Sequence, residues 1–236
     1  FLARIHERPT ELKLETLRQY LAARQLQLGG GAQPEPEHLQ ALLLAIDERP
    51  DAAAIQLAVL QSLPAAVYAP SSSGHFGLAL DDYAHFTSPI RRYPDLLLHR
   101  ALYALLGAPD QQASEDWVAL GRHCSERERR ADQAGWGVTE ALKLDFLADR
   151  VGQSFAGTVT GVMEFGLFVE LAEFGLSGLV HISELGQDYF VYDSEQRCLR
   201  GRRSGRIFEL GQEMDVTIAA ANAASRKLDL VPAAVA

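Results

Sequence analysis

The spacing of apolar residues changes near residue 151, and this change limits the possible folds more than any other feature. Before it, apolar side chains recur every three or four residues, as on one face of a helix. After it, they follow a period of two in five short segments, which cover residues 155–162, 167–171, 178–180, 214–220 and 227–231. Five short strands within about 80 residues are typical of a small closed barrel such as the OB-fold. We therefore predict an α+β chain with one domain at residues 1–151 and a second at residues 152–236.

The first part of the chain carries the start signals of several helices. Thr10 can cap a first helix, which we expect to end at the triple glycine of residues 29–31. Pro36 begins a second helix and Asp51 caps a third. The segment 75–80 has the alternation of a short strand.

Two further helices are predicted before residue 151. Ser88-Pro89 suits a helix start, and that helix should run to about Leu106 with Pro94 distorting its first turn. Ser125 and Glu128 have the spacing of a capping box and are expected to begin a long helix that reaches Ala148.

Composition excludes several classes of protein. No run of about 20 apolar residues occurs, so we predict no membrane partner. Cys124 and Cys198 are far apart, which argues against a disulfide framework and favours a reducing, cytoplasmic location. The net charge of −9 argues against a uniformly basic surface for nucleic acid. The average hides a basic run, since five arginines and no acid lie between Arg197 and Arg206.

Two adjacent arginines follow the predicted helix start at Ser88. Backbone N–H groups at a helix N-terminus favour a bound phosphate. Because cations there are unfavourable by themselves, Arg91 and Arg92 need a negative partner. That partner is either a carboxylate such as Asp95, which would make the pair structural, or a phosphodiester, which would make Ser88, Arg91 and Arg92 a binding site.

The same stretch resembles a known family. The sequence HFGLALDDYAHFTSPIRRYPDLLLHRAL at residues 75–102, with LQLGGG upstream and HCSERERRAD downstream, is similar to the catalytic domain of the ribonuclease R and ribonuclease II family. The resemblance implies a processive hydrolytic exoribonuclease that shortens single-stranded RNA from its 3′ end and releases nucleoside 5′-monophosphates. It implies that Arg91 acts near the scissile phosphate, where it would neutralise charge developing in the transition state.

The resemblance also implies a magnesium site built from aspartates in an earlier part of that domain. Residue Phe1 aligns after that part, so the Mg²⁺ ligands and the N-terminal half of the enzyme are expected outside this chain. Asp81 and Asp82 are a poor substitute, because adjacent residues point apart. We expect the chain alone to be inactive. The alternative is a non-catalytic RNA-binding or adaptor protein that retains the scaffold.

Residues 135–137 depart from the family pattern. Members commonly have an acidic and basic run where this chain has Gly135-Trp136-Gly137, and in some members the acidic residue contacts the terminal ribose. This chain lacks that contact. Trp136 is expected to pack in the core, with stacking on a base as the alternative.

The second part of the chain resembles the S1 RNA-binding domain, an OB-fold. The resemblance is carried by Phe165-Gly166-Leu167-Phe168-Val169, by Gly178-Leu179-Val180-His181-Ile182-Ser183 and by Arg226. Bases can stack on exposed rings, so Phe165, Phe168 and His181 are predicted to bind RNA, with Arg226 nearby. The alternative is that a phenylalanine fills the barrel. Tyr189 and Tyr192 either stack on RNA or pack a long loop.

The arginine run is expected in a loop of this second domain. Its exposed members, among them Arg200, Arg202 and Arg203, are predicted to hold RNA phosphates. The alternative is a solvated loop. Contacts from all five arginines would give a salt slope of about −3.5 for single-stranded RNA.

Overall fold

The computed structural model describes residues 1–108, 116–194 and 196–233. It contains helices and strands in the order expected for an α+β chain, with mostly helices first and mostly strands afterwards. The helices are α1 (Glu11–Ala22), α2 (Pro36–Ala45), α3 (Ala52–Ser62), α4 (Tyr93–Leu105) and α5 (Trp117–Ala148). The strands are β1 (Ala3–Ile5), β2 (Val67–Ala69), β3 (Ser154–Met163), β4 (Gly166–Leu171), β5 (Leu176–His181), β6 (Phe190–Asp193), β7 (Cys198–Gly201), β8 (Ile207–Glu209), β9 (Glu213–Asn222) and β10 (Lys227–Pro232).

Helix α1 begins where predicted, but it ends earlier than the glycines suggest. The hydroxyl oxygen of Thr10 lies 3.4 Å from the amide nitrogen of Lys13, as expected of a cap. The helix stops at Ala22, and the chain reverses at Gln25, which has a left-handed φ of 59°. The amide of Leu26 then donates to the carbonyl of Leu21. This backbone pattern closes the helix without glycine, so the predicted end at residues 29–31 is wrong.

The segment 75–80 is not the predicted strand. Phe76–Leu78 form one turn of 3₁₀ helix, and Ala79 has a left-handed φ of 54°. Instead, the amides of His75 and Leu80 each donate a hydrogen bond to the carbonyl of the other residue across this turn. Alternation over six residues cannot distinguish a strand from a tight turn that buries one phenylalanine.

Helix α4 begins five residues later than Ser88-Pro89 suggests. Ser88 begins a turn in which its carbonyl accepts hydrogen bonds from the amides of Arg91 and Arg92. Arg92 is the N-cap with extended backbone, and Pro94 falls in the first turn of the helix. A proline there has no N–H to lose, whereas in a helix begun at Ser88 it would break an internal hydrogen bond. The predicted end is confirmed, since the helix stops at Leu105 and Gly107 has a φ of 92°.

Helix α5 starts before the predicted capping box. Asp116 caps it by accepting a hydrogen bond of 2.8 Å from the amide of Ala119. Ser125 is therefore inside the helix, where its hydroxyl donates to the carbonyl of Gly121 and accepts from the amide of Tyr68. A Ser followed three residues later by a Glu is compatible with a helix cap and also with a buried tertiary contact. Here Ser125 makes the tertiary contact.

The second part of the chain is a closed five-stranded barrel, as predicted. Its strand order is β10-β5-β4-β3-β9, with β5 and β10 parallel and the other pairs antiparallel. Alternating residues of these strands fill the interior, and they include Val159, Leu167, Val169, Val180 and Ile218. All five predicted strands are present with small differences in their ends.

A three-stranded sheet outside the barrel was not predicted. Strands β6, β7 and β8 form it in that order, with both pairs antiparallel. Phe190, Leu199 and Phe208 are buried in the same core as the barrel. Of the five arginines that we expected in a loop, only Arg200 lies on a strand, β7. Arg197 precedes β7, and the other three arginines lie in the connection from β7 to β8, so the loop prediction is wrong for Arg200 alone.

Contacts divide the chain into two compact units that do not follow the sequence order. One unit comprises Phe1–Leu14, Gly29–Ala41 and Gln61–Gln133, and the other comprises Glu15–Leu28, Leu42–Leu60 and Ala134–Ala236. The boundary at residue 151 between two evolutionary domains stays a prediction. Within the described residues, no helix is both long enough and apolar enough to cross a bilayer.

Candidate nucleic-acid interface

A cleft of about 460 Å³ lies beside the predicted phosphate site in the first unit. One wall is the start of α4, with Arg91, Arg92, Tyr93 and Pro94. The other wall is a face of α5, and Tyr68 lies at its base. The α5 residues of that wall repeat at helical spacing and are His123, Cys124, Arg127, Glu128, Ala131 and Asp132. Three arginines thus face a space large enough for part of a nucleotide chain.

Arg92 is anchored by a fully buried carboxylate. The Oδ2 atom of Asp95 accepts a hydrogen bond of 2.9 Å from Arg92 and another of 2.8 Å from the amide of Ser88. One acidic oxygen therefore fixes both the side chain of Arg92 and the turn before α4. Of the alternatives for the arginine pair, the carboxylate is the observed partner of Arg92.

Arg91 differs from its neighbour. Its side chain is exposed and lines the cleft, and the described residues give it no ion-pair or hydrogen-bonding partner. The turn that holds it is fixed through Ser88 and Asp95, so the backbone of Arg91 is held beside the cleft while no described residue neutralises its guanidinium. A free guanidinium beside a cleft is suited to a bidentate phosphate contact.

A polar network supports the base of the cleft. The hydroxyl of Tyr68 lies 2.8 Å from Nδ1 of His85 and 3.4 Å from Glu128. Glu128 in turn accepts a hydrogen bond of 2.6 Å from Arg4. Burial, with the nearby Glu128 carboxylate, raises the pKa of Tyr68 to about 12. Tyr68 therefore remains a neutral hydrogen-bonding group at any pH where the protein works.

Burial and neighbouring positive charges also lower the pKa values of two histidines in this unit. Burial, followed by the charges of Arg92 and Arg4, lowers the pKa of His85. Burial and the nearby His6 lower the pKa of His75. Both histidines are therefore held neutral near pH 7, and they add no positive charge to the cleft.

The barrel places the predicted aromatic residues outside its core. Phe165 is 48% exposed in the turn between β3 and β4. Phe168 lies on the face of β4 opposite the buried Leu167 and Val169, with its ring perpendicular to that of Phe165 at 6.1 Å between centroids. In the barrel, Gly166 pairs with the exposed His181. The alternative that either phenylalanine fills the barrel is wrong, because the core is filled by aliphatic side chains.

Gly166 is essential to this arrangement. It has a φ of 152°, and a β-carbon there would lie 2.2 Å from the carbonyl oxygen of Val180. The close approach of the two strands therefore brings Phe165 and His181 to the same end of the β4–β5 pair. Their predicted contact with RNA stays a prediction.

Arg226 and Trp136 lie in the second unit. Arg226 has a left-handed φ of 52° in the exposed turn before β10. Its Nη1 atom lies against α5, 3.0 Å from the point where a β-carbon on Gly137 would stand. Trp136 is 70% exposed, so the expected core packing is wrong. Trp136 lies on the same side of α5 as Leu144 and Leu147, but no residue of the helix between Ser125 and Leu144 is buried, so no described residue covers that side at Trp136.

The five arginines of the basic run are held in different ways. Arg197 lies over the ring of Tyr20 at 5.7 Å, and Arg206 lies over the ring of Phe208 at 5.0 Å. Arg200, Arg202 and Arg203 are exposed. The three arginines that we predicted to bind phosphate are thus accessible, while Arg197 packs against α1.

The described residues were also tested against the implied magnesium ion. No group of three or more His, Cys, Asp or Glu side chains in this part of the chain is arranged to hold a metal ion. Both cysteines are free and buried. The described residues therefore do not fit a magnesium site, and the expectation that its ligands lie outside this chain stays a prediction.

Sequence reasoning assigned no role to several residues of the cleft. His123 and Arg127 lie one helical turn apart on α5, and both face Arg91 across the space. Their spacing of four residues was a usable signal, since it places them on one face. What hid the signal was the misplaced start of α5, because the helical face could not be assigned without it.

Comparisons with known proteins agree with this geometry. Residues 1–108 match the family model of the RNB domain, and residues 148–230 match the S1 RNA binding domain. The chain is 43% identical over 240 residues to ribonuclease R of Escherichia coli, and the match covers 97% of the chain. The chain is similar to ribonuclease R along almost its whole length. The predicted resemblance and the predicted fold class are therefore confirmed.

The match covers only part of each relative. The chain spans 30% of the length of ribonuclease R from Escherichia coli. It has a TM-score of 0.89 to RNase R of Mycoplasma genitalium in complex with ribose methylated single-stranded RNA, at 23% identity, covering 98% of this chain and 37% of that one. Yeast Ssd1, described as a pseudonuclease, has a TM-score of 0.63 at 24% identity, covering 84% and 26%. These two likenesses support the fold.

Proposed function

We propose that this chain forms the RNA-binding part of a hydrolytic, processive 3′-to-5′ exoribonuclease that releases nucleoside 5′-monophosphates. The observation that carries the proposal is the positioned, unneutralised Arg91 beside the cleft, in a chain 43% identical to a ribonuclease R. The similarity to ribonuclease R supports RNA as the ligand, and the cleft supports a phosphate at Arg91. Mg²⁺, held by residues outside this chain, would supply the activated water in the complete enzyme.

Each predicted residue has a distinct task in this proposal. Arg91 neutralises charge on the scissile phosphate as the transition state develops, while Asp95 and Ser88 hold the turn in place. Arg92, whose charge is balanced by Asp95, helps to fix the same edge of the cleft for the RNA backbone. Phe165, Phe168, His181 and Arg226 hold the RNA strand through stacking and phosphate contacts.

An exchange experiment tests the proposal. The matching segment of ribonuclease R from Escherichia coli is replaced by this chain, and release of mononucleotides from 3′-labelled single-stranded RNA is measured with magnesium. We expect the exchanged enzyme to degrade RNA and the isolated chain to bind RNA without degrading it. Degradation by the isolated chain would contradict the assignment of the metal site to another part of the protein.

The second candidate is a non-catalytic RNA-binding or adaptor protein. It is favoured by Gly135-Trp136-Gly137, which replaces the acidic and basic run expected in the family, and by the likeness in fold to a pseudonuclease. In the same experiment, an exchanged protein that is folded and binds RNA but releases no mononucleotide would favour this candidate. Restoring an acid by Gly135→Glu would then test whether the missing ribose contact is the cause.

A further inference from the structure

One face of the three-stranded sheet carries an exposed group of aromatic, aliphatic and basic side chains. Val191, Arg200 and Ile207 lie opposite one another in the register of β6, β7 and β8, and all three are exposed. Tyr189 precedes β6 and is 67% exposed. Arg202 and Arg203 follow β7 in the turn. We call this group the tyrosine–arginine patch, and its members are Tyr189, Val191, Arg200, Arg202, Arg203 and Ile207.

Tyr189 and Arg202 are held together at both backbone and side chain. The amide of Arg202 donates a hydrogen bond of 2.9 Å to the carbonyl of Tyr189. The guanidinium of Arg202 lies over the tyrosine ring, 4.9 Å from its centroid. A cation over one face of a ring fixes the ring and leaves its other face for a planar group. The high exposure of Tyr189 agrees with such an accessible face.

A surface hydrogen-bond network fixes the backbone of the turn beneath the patch. The carboxylate of Asp188 accepts hydrogen bonds from the amide of Tyr189 at 2.7 Å and from the hydroxyl of Ser204 at 2.6 Å. It also accepts from the amides of Arg203 and Ser204. The Ser204 hydroxyl and these amides hold the pKa of Asp188 well below its usual range. The carboxylate is therefore charged, and the turn is ordered, at every physiological pH.

Gly201 makes this network possible. A β-carbon there would lie 2.5 Å both from Oδ2 of Asp188 and from the hydroxyl of Ser204. The backbone of the patch is therefore ordered before any ligand arrives, so binding has to order only the exposed side chains. An ordered platform of this kind is unusual for a turn whose arginines are so exposed, since the Arg203 side chain is 80% accessible.

The neighbouring Tyr192 shows that Tyr189 is not a packing residue. Tyr192 lies three residues further along the chain and packs against the shared core of the barrel and the sheet. Tyr189 is absent from the described residues of that core and points to solvent. Of the two tyrosines left open by the sequence, the structure makes Tyr189 the candidate for stacking.

We propose that the tyrosine–arginine patch is a separate subsite for single-stranded RNA, in which one nucleobase stacks on Tyr189 and the adjoining phosphates contact Arg200 and Arg203. The proposal rests on the proposed RNA-binding function and extends it to a sheet outside the barrel. One exposed ring with several arginines beside it suits an unpaired nucleotide, because every base has a flat face and every phosphate a charge. A partner protein would not need this combination of a ring and neighbouring cations.

The test measures the dissociation constant of the full chain for a 20-nucleotide single-stranded RNA at fixed salt. Tyr189→Leu is expected to weaken binding about tenfold, as for loss of one stacked base, while Tyr189→Phe retains binding because it keeps the ring. The same titrations are repeated with RNAs that each carry one abasic nucleotide. At the position that occupies the patch, the abasic RNA should bind wild type about tenfold more weakly and make the Tyr189→Leu change silent.

The outcomes separate this proposal from the proposed function. If the wild-type chain does not bind RNA, the proposed function itself fails. If it binds RNA and loses affinity on Phe168→Ala, but Tyr189→Leu binds as tightly as wild type, only the subsite is overturned. Equal losses for Tyr189→Leu and Tyr189→Phe would also overturn it, since stacking needs the ring and not the hydroxyl. Circular dichroism of each variant verifies that the fold is retained.

Discussion

Two regions of this molecule carry arginines that we predict to contact RNA phosphates, but they fix these arginines by opposite means. At the start of α4, the fully buried Asp95 holds Arg92 by a direct ion pair, and Arg91 is positioned only through the backbone turn. In the turn after β7, Asp188 holds the backbone mainly through amides and a hydroxyl, and the arginines extend into solvent. The buried carboxylate of Asp95 therefore fixes the position of one guanidinium beside the cleft. Asp188 orders only the backbone of a surface turn, so the arginine side chains of that turn form a flexible set of charges.

Removal of the Asp95 carboxylate is expected to have the largest effect on stability. We expect Asp95→Ala to lower the free energy of unfolding by about 3–5 kcal/mol, because Arg92 would remain a largely buried charge without a partner. Urea unfolding of the full chain measures this change. Arg203→Ala, at the exposed site, should change stability by no more than about 0.5 kcal/mol.

A double variant distinguishes the ion pair from simple loss of packing. Because removing both charges leaves no unpaired ion, Arg92→Met combined with Asp95→Leu should recover much of the lost stability. If the double variant were as unstable as Asp95→Ala, the hydrogen bond to the Ser88 amide would be the main contribution of Asp95 instead.

The second prediction concerns the exposed member of the α4 pair. In the exchanged enzyme, Arg91→Ala should lower kcat about 100- to 1000-fold, as for loss of one preorganised donor in a transition state. The KM for RNA should change little. Arg91→Lys should restore only part of the rate, since it lacks the forked donor geometry. Parallel losses in affinity and turnover would show that Arg91 only anchors RNA.

The third prediction concerns the surface arginines. Replacing Arg200, Arg202 and Arg203 by alanine should reduce the salt slope of RNA binding by about 1.4, at roughly 0.7 for each of the phosphates that Arg200 and Arg203 contact in the proposed subsite. Arg197→Ala is the matched control from the same run, and we expect it to leave the slope unchanged because its guanidinium lies over Tyr20. A wild-type slope shallower than about −1 would contradict phosphate binding by this turn.

The fourth and smallest predicted effect is a pH dependence of the free energy of unfolding, which we expect from the histidines of the first unit and not from the arginine turn. The folded chain holds His75 and His85 with lowered pKa values, so the unfolded chain takes up protons at a higher pH. The free energy of unfolding should therefore fall as pH drops below about 6.5, the usual pKa of histidine. Urea unfolding at pH 7.5 and 5.5 measures the decrease, and His85→Gln should reduce it.

The arginine turn should not share this pH dependence. Its organising group is Asp188, whose pKa is held far below the range in question. The contribution of Arg200, Arg202 and Arg203 to the salt slope should be equal at both pH values. A contribution that disappears at pH 5.5 would mean that the turn depends on a group other than Asp188.

The parts of this structure that follow from local patterns could be predicted from the sequence. The barrel strands were predictable because alternation fixes which residues face the core, and Val159, Leu167 and Val169 are all buried. The start of α4 was misplaced because the Ser88 signal competes with Pro94, and the choice depends on the buried contact to Asp95. The long-range partner that decides the outcome is not visible in a local window.

The same limit explains the errors at the candidate site. Ser125 reads as a cap, but it bonds to Tyr68, which is 57 residues away. Trp136 reads as a core residue, but it lies on a stretch of α5, between Ser125 and Leu144, in which no residue is buried. The short strands β6 to β8 were missed because three or four residues carry too little periodicity to stand out from the arginine run between them.

The pairing of β10 has a consequence for synthesis of the chain. This last strand pairs with both β9 and β5, so the described barrel remains an open sheet until residues Lys227–Pro232 have left the ribosome. Until then, β5 is an unpaired edge that can join another chain. Nascent copies on one messenger therefore have a brief period in which neighbouring chains can exchange strands. Newly made protein closes the barrel behind the β4–β5 surface, where we predict RNA to bind, only when β10 joins it.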